Sequence, residues 1–137
     1  LATASVYLQL IMGAALRHKG FGITPHLVGA AVVAVLVLWA VYSAVTHHSG
    51  QPVLMRPAGI LGTLLFIQLV LGAASYLVRE TTRDAPQPMP LMVWITVAHV
   101  ATGALTLAAG LWLTLESRRL LDPAAAPSRD REGAVPA

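Results

Sequence analysis

Residues 26–46 read HLVGAAVVAVLVLWAVYSAVT, a run without any Asp, Glu, Lys or Arg. It is the centre of one of four such uncharged stretches, which cover residues 1–16, 20–55, 57–78 and 85–115. A membrane-crossing helix needs roughly 20 mainly apolar residues, because the bilayer offers no water to its backbone groups. The four stretches therefore predict an all-α membrane protein, a bundle of four transmembrane helices.

The composition of the whole chain agrees with this prediction. The chain has 137 residues, of which 56% are hydrophobic and 11% are charged, and its mean hydropathy is +0.70. In a soluble domain about a quarter of all residues are charged, so the soluble class is excluded. There is no cysteine, which excludes disulfides and thiolate metal sites. The formal charge of +3 comes from scattered basic residues, so we expect lipid and no nucleic acid as a partner.

Local signals predict where the helices begin and end. We expect helices over about 3–16, from an N-cap at Thr24 with Pro25 in the first turn to 45, from Arg56 and Pro57 to 78, and over 91–115. Residues 1–116 form the transmembrane domain of this prediction, and 117–137 form a polar, disordered tail. We also expect the first span of a longer chain to begin before Leu1.

An internal repeat predicts how the four helices are related. The stretch Gln9-Leu10-Ile11-Met12-Gly13-Ala14 recurs 59 residues later as Gln68-Leu69-Val70-Leu71-Gly72-Ala73. Each copy is followed, one connection later, by a helix with an early histidine and a glycine, which are His26 with Gly29 and His99 with Gly103. The chain is thus predicted to consist of two helical hairpins that are parallel repeats.

The two early histidines are the candidate functional residues. His26 and His99 are ionisable side chains inside uncharged stretches, and such residues usually face a bundle interior or a cavity. One interpretation is that each imidazole hydrogen-bonds across helices and only holds them together. The other is that the two imidazoles, from diagonally opposite helices, are the axial ligands of a haem iron.

Further residues belong to the haem interpretation. Gly29 and Gly103 would leave room for the macrocycle, and Arg17 would bind a propionate with its forked guanidinium. Gln9 and Gln68 would hydrogen-bond near the porphyrin edge, or act as packing contacts between helices. The sequence also predicts a difference in depth of roughly 9 Å between the histidines, counted from the start of each apolar run at 1.5 Å per residue.

The stretch from Gln9 to Gly20, with its Gly-Ala-x-x-Arg-His pattern, resembles the first helix of a haem A synthase half. The resemblance covers about residues 5–115 and includes both histidine helices in the family's order. It implies that His26 and His99 ligate haem b, and that the chain takes part in making haem A from haem O for cytochrome oxidase assembly. The family's catalytic half carries a glutamate four residues before the ligand, but Gly22 and Ile95 stand there in this chain.

These observations predict a haem-binding membrane protein of the haem A synthase type, most like the haem b-binding half. Its oxidoreductase activity is implied by the resemblance alone, and we assign no catalytic residue. The alternatives are a non-catalytic subunit that holds haem or pigment in a respiratory or photosynthetic complex, and a cofactor-free scaffold. A second copy or a partner subunit would complete an eight-helix unit.

We further expect a bacterial inner-membrane location with cytoplasmic termini. With four spans, five Lys and Arg residues lie on the side of the termini and four lie opposite, a small excess that favours this orientation.

Overall fold

The computed structural model describes residues 1–18, 22–86 and 88–121, and in these ranges the chain is helical with no strand. Four helices follow one another: α1 (Ala2–Arg17), α2 (Ile23–His47), α3 (Pro52–Thr81) and α4 (Pro90–Leu121). The all-helical prediction is confirmed.

Three of the four helices are long and apolar enough to cross a membrane, namely α2, α3 and α4. They contain 25, 30 and 32 residues. Helix α1 has 16 residues, which at 1.5 Å per residue spans about 24 Å, less than the roughly 30 Å of a hydrocarbon core. The structure therefore confirms a membrane-type helical protein with three candidate spans, and it does not establish α1 as a fourth.

Large apolar side chains point away from the bundle. Trp39, Phe66 and Trp94 are 68%, 68% and 74% exposed. Contiguous apolar surface on this scale is unfavourable in water, so these faces suit contact with lipid tails.

Each helix packs against two others. α1 contacts α2 and α4, and α3 contacts α2 and α4, whereas within the described residues α1 does not contact α3 and α2 does not contact α4. α2 and α4 therefore lie diagonally across the bundle. The N-terminal ends of α2 and α4 lie at the same end of the bundle as the C-terminal ends of α1 and α3. We call this end the histidine end and the opposite one the far end.

The apolar core lies towards the far end. Its most buried members are Val37, Ala58 and Leu61, which are at most 1% exposed, together with Val6 and Leu113. At the histidine end, in residues 9–17, 23–30, 68–81 and 90–103, Gly103 is buried. No apolar side chain in these described ranges is buried to the same degree.

Several predicted helix ends are wrong. The N-cap of α2 is Gly22 and not Thr24, which lies inside the first turn. Helix α3 begins at Pro52, so Pro57 is a buried residue within the helix. Helix α4 continues to Leu121, which makes residues 117–121 of the predicted tail helical. The rest of that tail, residues 122–137, lies outside the described residues.

Candidate functional site

In the first hairpin, Gln9 of α1 and His26 of α2 contact each other across the helix interface. The Gln9 amide Nε2 donates to the backbone carbonyl of His26 at 2.8 Å, and it lies 3.0 Å from the ring nitrogen Nδ1. An amide NH₂ has two hydrogens, so both bonds form together. His26 Nδ1 is then the acceptor, and the imidazole proton is on Nε2.

Two glycines make this contact sterically possible. A Cβ on Gly13 would lie 3.2 Å from His26 Cε1, and a Cβ on Gly29 would collide with Gln9 Oε1. Residues four apart lie on one face of a helix, so Gln9 and Gly13 present an amide and a gap side by side. The imidazole of α2 lies in the gap of α1, and the amide of α1 lies in the gap of α2.

The second hairpin repeats the arrangement with α3 and α4. A Cβ on Gly72 would lie 3.1 Å from His99 Cε1, and a Cβ on Gly103 would lie 3.0 Å from Gln68 Nε2. Each Gln and His of the sequence repeat thus lies against a glycine of the facing helix.

The two histidines lie at the same depth, and the predicted difference of about 9 Å is wrong. Gly29 packs against Gln9, and Gly103 packs against the next residue of α1, Leu10. α2 and α4 run in the same direction, with His26 three residues before its glycine and His99 four residues before its own. The histidines are therefore level to within about two residues, or about 3 Å. Counting from the helix starts failed because α4 begins farther out than α2.

The two imidazoles approach from opposite corners of the bundle. Their helices are diagonal and do not touch each other within the described residues. No group of three or more His, Cys, Asp or Glu side chains gathers anywhere in the described part of the chain. Two imidazoles on opposite sides are the donor set of a six-coordinate haem iron, whereas a structural zinc site needs four protein ligands.

Four buried polar atoms among the described residues have no hydrogen-bond partner, namely Gln9 Oε1, Gln68 Oε1, Ser75 Oγ and His99 Nδ1. A buried polar group without a partner costs about 1–3 kcal/mol, and such groups often mark the place of an additional molecule. Ser75 was not among the residues predicted from the sequence. Its spacing could have indicated it, because Ser75 follows Gln68 by seven residues and so lies on the same helix face.

Arg17 is the one predicted residue that makes none of these contacts. Arg17 is the last residue of α1 at the histidine end, and its side chain is exposed. His47 and His48 are exposed at the far end, where His47 Nδ1 hydrogen-bonds with the hydroxyl of Thr46 at 2.8 Å.

Comparison with protein-family models, with curated protein sequences and with solved structures finds no match to this chain. The resemblance to haem A synthases therefore depends on the short motifs quoted above and stays a prediction.

Proposed function

We propose that this chain is an integral membrane protein that binds one haem b between His26 and His99. The observation that carries the proposal is the placement of the two imidazoles, which are level, diagonal to each other, and each seated against a glycine. The unpartnered atoms Gln68 Oε1 and His99 Nδ1 are polar groups that a ligand would satisfy, and Ser75 Oγ is a third such atom on the helix of Gln68.

The proposal includes four membrane-crossing helices arranged as two repeated hairpins. Its support is the pair of matching contacts, Gln9 with Gly29 in one hairpin and Gln68 with Gly103 in the other. Helix α1 would be the fourth membrane segment, because it packs along α2 and α4, which are both long enough to span the membrane. We place the protein in the bacterial inner membrane with cytoplasmic termini, on the small excess of basic residues there.

Haem bound between two histidines supplies one-electron chemistry. His26 and His99 would hold the iron, Gly29 and Gly103 would give Gln9 and Gln68 room to lie against the facing helices beside it, and Arg17 at the histidine end would bind a propionate. A second copy of the chain or a partner subunit would complete an eight-helix unit. Because Gly22 and Ile95 stand where the family's catalytic half carries a glutamate, we propose a role as the haem-holding part of haem A formation from haem O, or in electron transfer towards it.

Gln9 sets a condition on ligation by His26. Coordination through Nε2 requires the imidazole proton on Nδ1, which must then find an acceptor. The amide nitrogen of Gln9 bonds both Nδ1 and the carbonyl of His26, so an amide turned in place would set its oxygen against that carbonyl. Ligation through Nε2 would therefore require the Gln9 side chain to move, after which Oε1, a buried acceptor without a partner, could accept from Nδ1.

The test is the haem content of purified protein, measured from the reduced-minus-oxidised spectrum and by pyridine haemochrome assay. We expect a low-spin b-type spectrum, and loss of haem in both His26→Ala and His99→Ala. His48→Ala is the matched control, because His48 is exposed at the far end. Circular dichroism establishes that each variant is folded. Wild-type protein that takes up no haem on reconstitution, or full haem in both site variants, would refute the proposal.

One observation favours a second candidate, a scaffold without a cofactor. The His26 ring already has a partner in Gln9, as expected of a histidine that only joins two helices. A colourless protein that loses stability in Gln9→Leu, and gains no colour with added haem, would establish this alternative.

A further inference from the structure

The two histidines of the repeat differ in the hydrogen bonding of the ring nitrogen Nδ1. His26 Nδ1 lies 3.0 Å from the amide Nε2 of Gln9, whereas His99 Nδ1 is buried and has no hydrogen-bond partner among the described residues. The matching glutamine, Gln68, places its amide nitrogen against Gly103, where a Cβ would lie 3.0 Å from Nε2. The repeat therefore brings the same residue types together but gives only the first Nδ1 a partner.

A second bond fixes the orientation of the Gln9 amide. Its Nε2 donates to the backbone carbonyl of His26 at 2.8 Å, and a carbonyl oxygen can only accept. The atom that faces His26 Nδ1 is therefore the amide nitrogen, and the imidazole proton lies on Nε2. Iron would have to bind this same Nε2, so Gln9 holds His26 in the tautomer that cannot ligate. His99 can carry its proton on Nδ1 without breaking a bond there.

The iron bonds of the two imidazoles are therefore expected to differ in strength. Away from the iron, the His26 ring has a fitted place on α1, since a Cβ on Gly13 would lie 3.2 Å from His26 Cε1. On returning there it regains both bonds to Gln9 and gives up at most the one that Gln9 Oε1 would accept from it. The net gain is about one hydrogen bond. Nδ1 of His99 offers no such gain.

We propose that His99 is the permanent axial ligand and that His26 is exchangeable, so that a small neutral diatomic molecule such as carbon monoxide takes its place on reduced haem. This inference rests on the proposed haem site. Ferrous haem binds such molecules where the surroundings leave an axial position accessible. The bond from iron to His26 breaks and a bond from iron to the carbon atom forms, with no electron transferred. The His26 proton moves from Nδ1 back to Nε2.

The first test is a carbon monoxide titration of the haem-reconstituted full chain, reduced with dithionite and followed by its visible spectrum. We expect one carbon monoxide per haem in the wild type. Gln9→Leu removes the bonds that receive the departing His26, so the affinity should fall by about threefold to twentyfold, the equivalent of one hydrogen bond between membrane helices. Gln51→Leu is the matched control, because Gln51 is exposed at the far end, and its affinity should equal that of the wild type.

The second test identifies the exchanged ligand and needs no variant of Gln9. Nitrogen-15 NMR of the histidine rings in haem-free protein should show the proton of His26 on Nε2, with its signal assigned by its loss in His26→Ala. When carbon monoxide is added to the reduced holoprotein, which is then diamagnetic, the His26 signal should return to its haem-free position. The His99 signal should keep the shift that ligation gives it.

The outcomes separate this inference from the haem proposal. Haem-loaded protein that binds no carbon monoxide, equal affinities in Gln9→Leu and Gln51→Leu, or recovery of the His99 signal in place of the His26 signal would each overturn the inference and leave the haem site standing. A chain that takes up no haem would overturn both.

Discussion

Gly29 is the position where the seating of Gln9 can be tested most directly. A methyl group added by Gly29→Ala collides with Gln9 Oε1, so the Gln9 side chain must leave its place. It then loses its bond to the His26 carbonyl at 2.8 Å and its contact with Nδ1 at 3.0 Å. Gly59→Ala is the matched control, because a Cβ there meets no atom within 4 Å.

The expected difference follows from the two lost contacts. Alanine stabilises a helix interior by about 1 kcal/mol relative to glycine, and this gain is common to both variants. A cross-helix hydrogen bond in a membrane protein contributes about 0.6 kcal/mol on average and up to about 1.7 kcal/mol. With two bonds lost, Gly29→Ala should have a free energy of unfolding lower than that of Gly59→Ala by about 1–3 kcal/mol.

The assay is unfolding in mixed micelles with increasing dodecyl sulfate, followed by far-ultraviolet circular dichroism. A double variant provides the second measurement. In a Gln9→Leu background the two hydrogen bonds are already absent, so most of the penalty of Gly29→Ala should disappear. If Gly29→Ala and Gly59→Ala have the same stability, Gln9 does not occupy the gap at Gly29 and the reasoning is refuted.

Three other substitutions test the remaining contacts. Gly72→Ala places a Cβ 3.1 Å from His99 Cε1 and should shift the visible spectrum and midpoint potential of bound haem; unchanged values would contradict the proposed ligation. Thr3→Val removes the hydroxyl contacts between α1 and α4 and should lower the free energy of unfolding by about 1–2 kcal/mol, and no change would show these contacts to be dispensable. Leu61→Ala, in the core and 1% exposed, should cost about 2–5 kcal/mol, whereas Phe66→Ala, 68% exposed, should cost far less in the same assay.

The helical class could be predicted from the sequence, and so could the helix face that Gln9 shares with Gly13. Uncharged stretches decide the class, because backbone groups in a bilayer must be satisfied within helices. The shared face followed from the spacing, since residues four apart lie on one face of a helix. The pairing of each polar side chain with a glycine of the facing helix was not predicted, because it depends on the register between two helices.

The errors at helix ends and in depth have a common cause. Thr24 and Pro57 are local signals for a helix start, but both lie inside helices that extend farther. Pro57 lies within the first two turns of α3, where a missing N–H disturbs few intrahelical bonds. Ser75 was missed because a serine in a membrane helix usually bonds its own helix carbonyl, and because the repeat places a leucine, Leu16, at the matching position.

The uneven distribution of apolar packing along the bundle affects the order of assembly. Side chains such as Val37 and Leu61 join the helices at the far end, whereas the histidine end is joined by glycine contacts and a few hydrogen bonds. The helices can separate at the histidine end at low cost while the far end remains associated, as in a locally opening region of a stable protein. A flat ligand would then enter after membrane insertion is complete, and in hydrogen exchange the backbone amides near His26 and His99 would open well before those near Leu61.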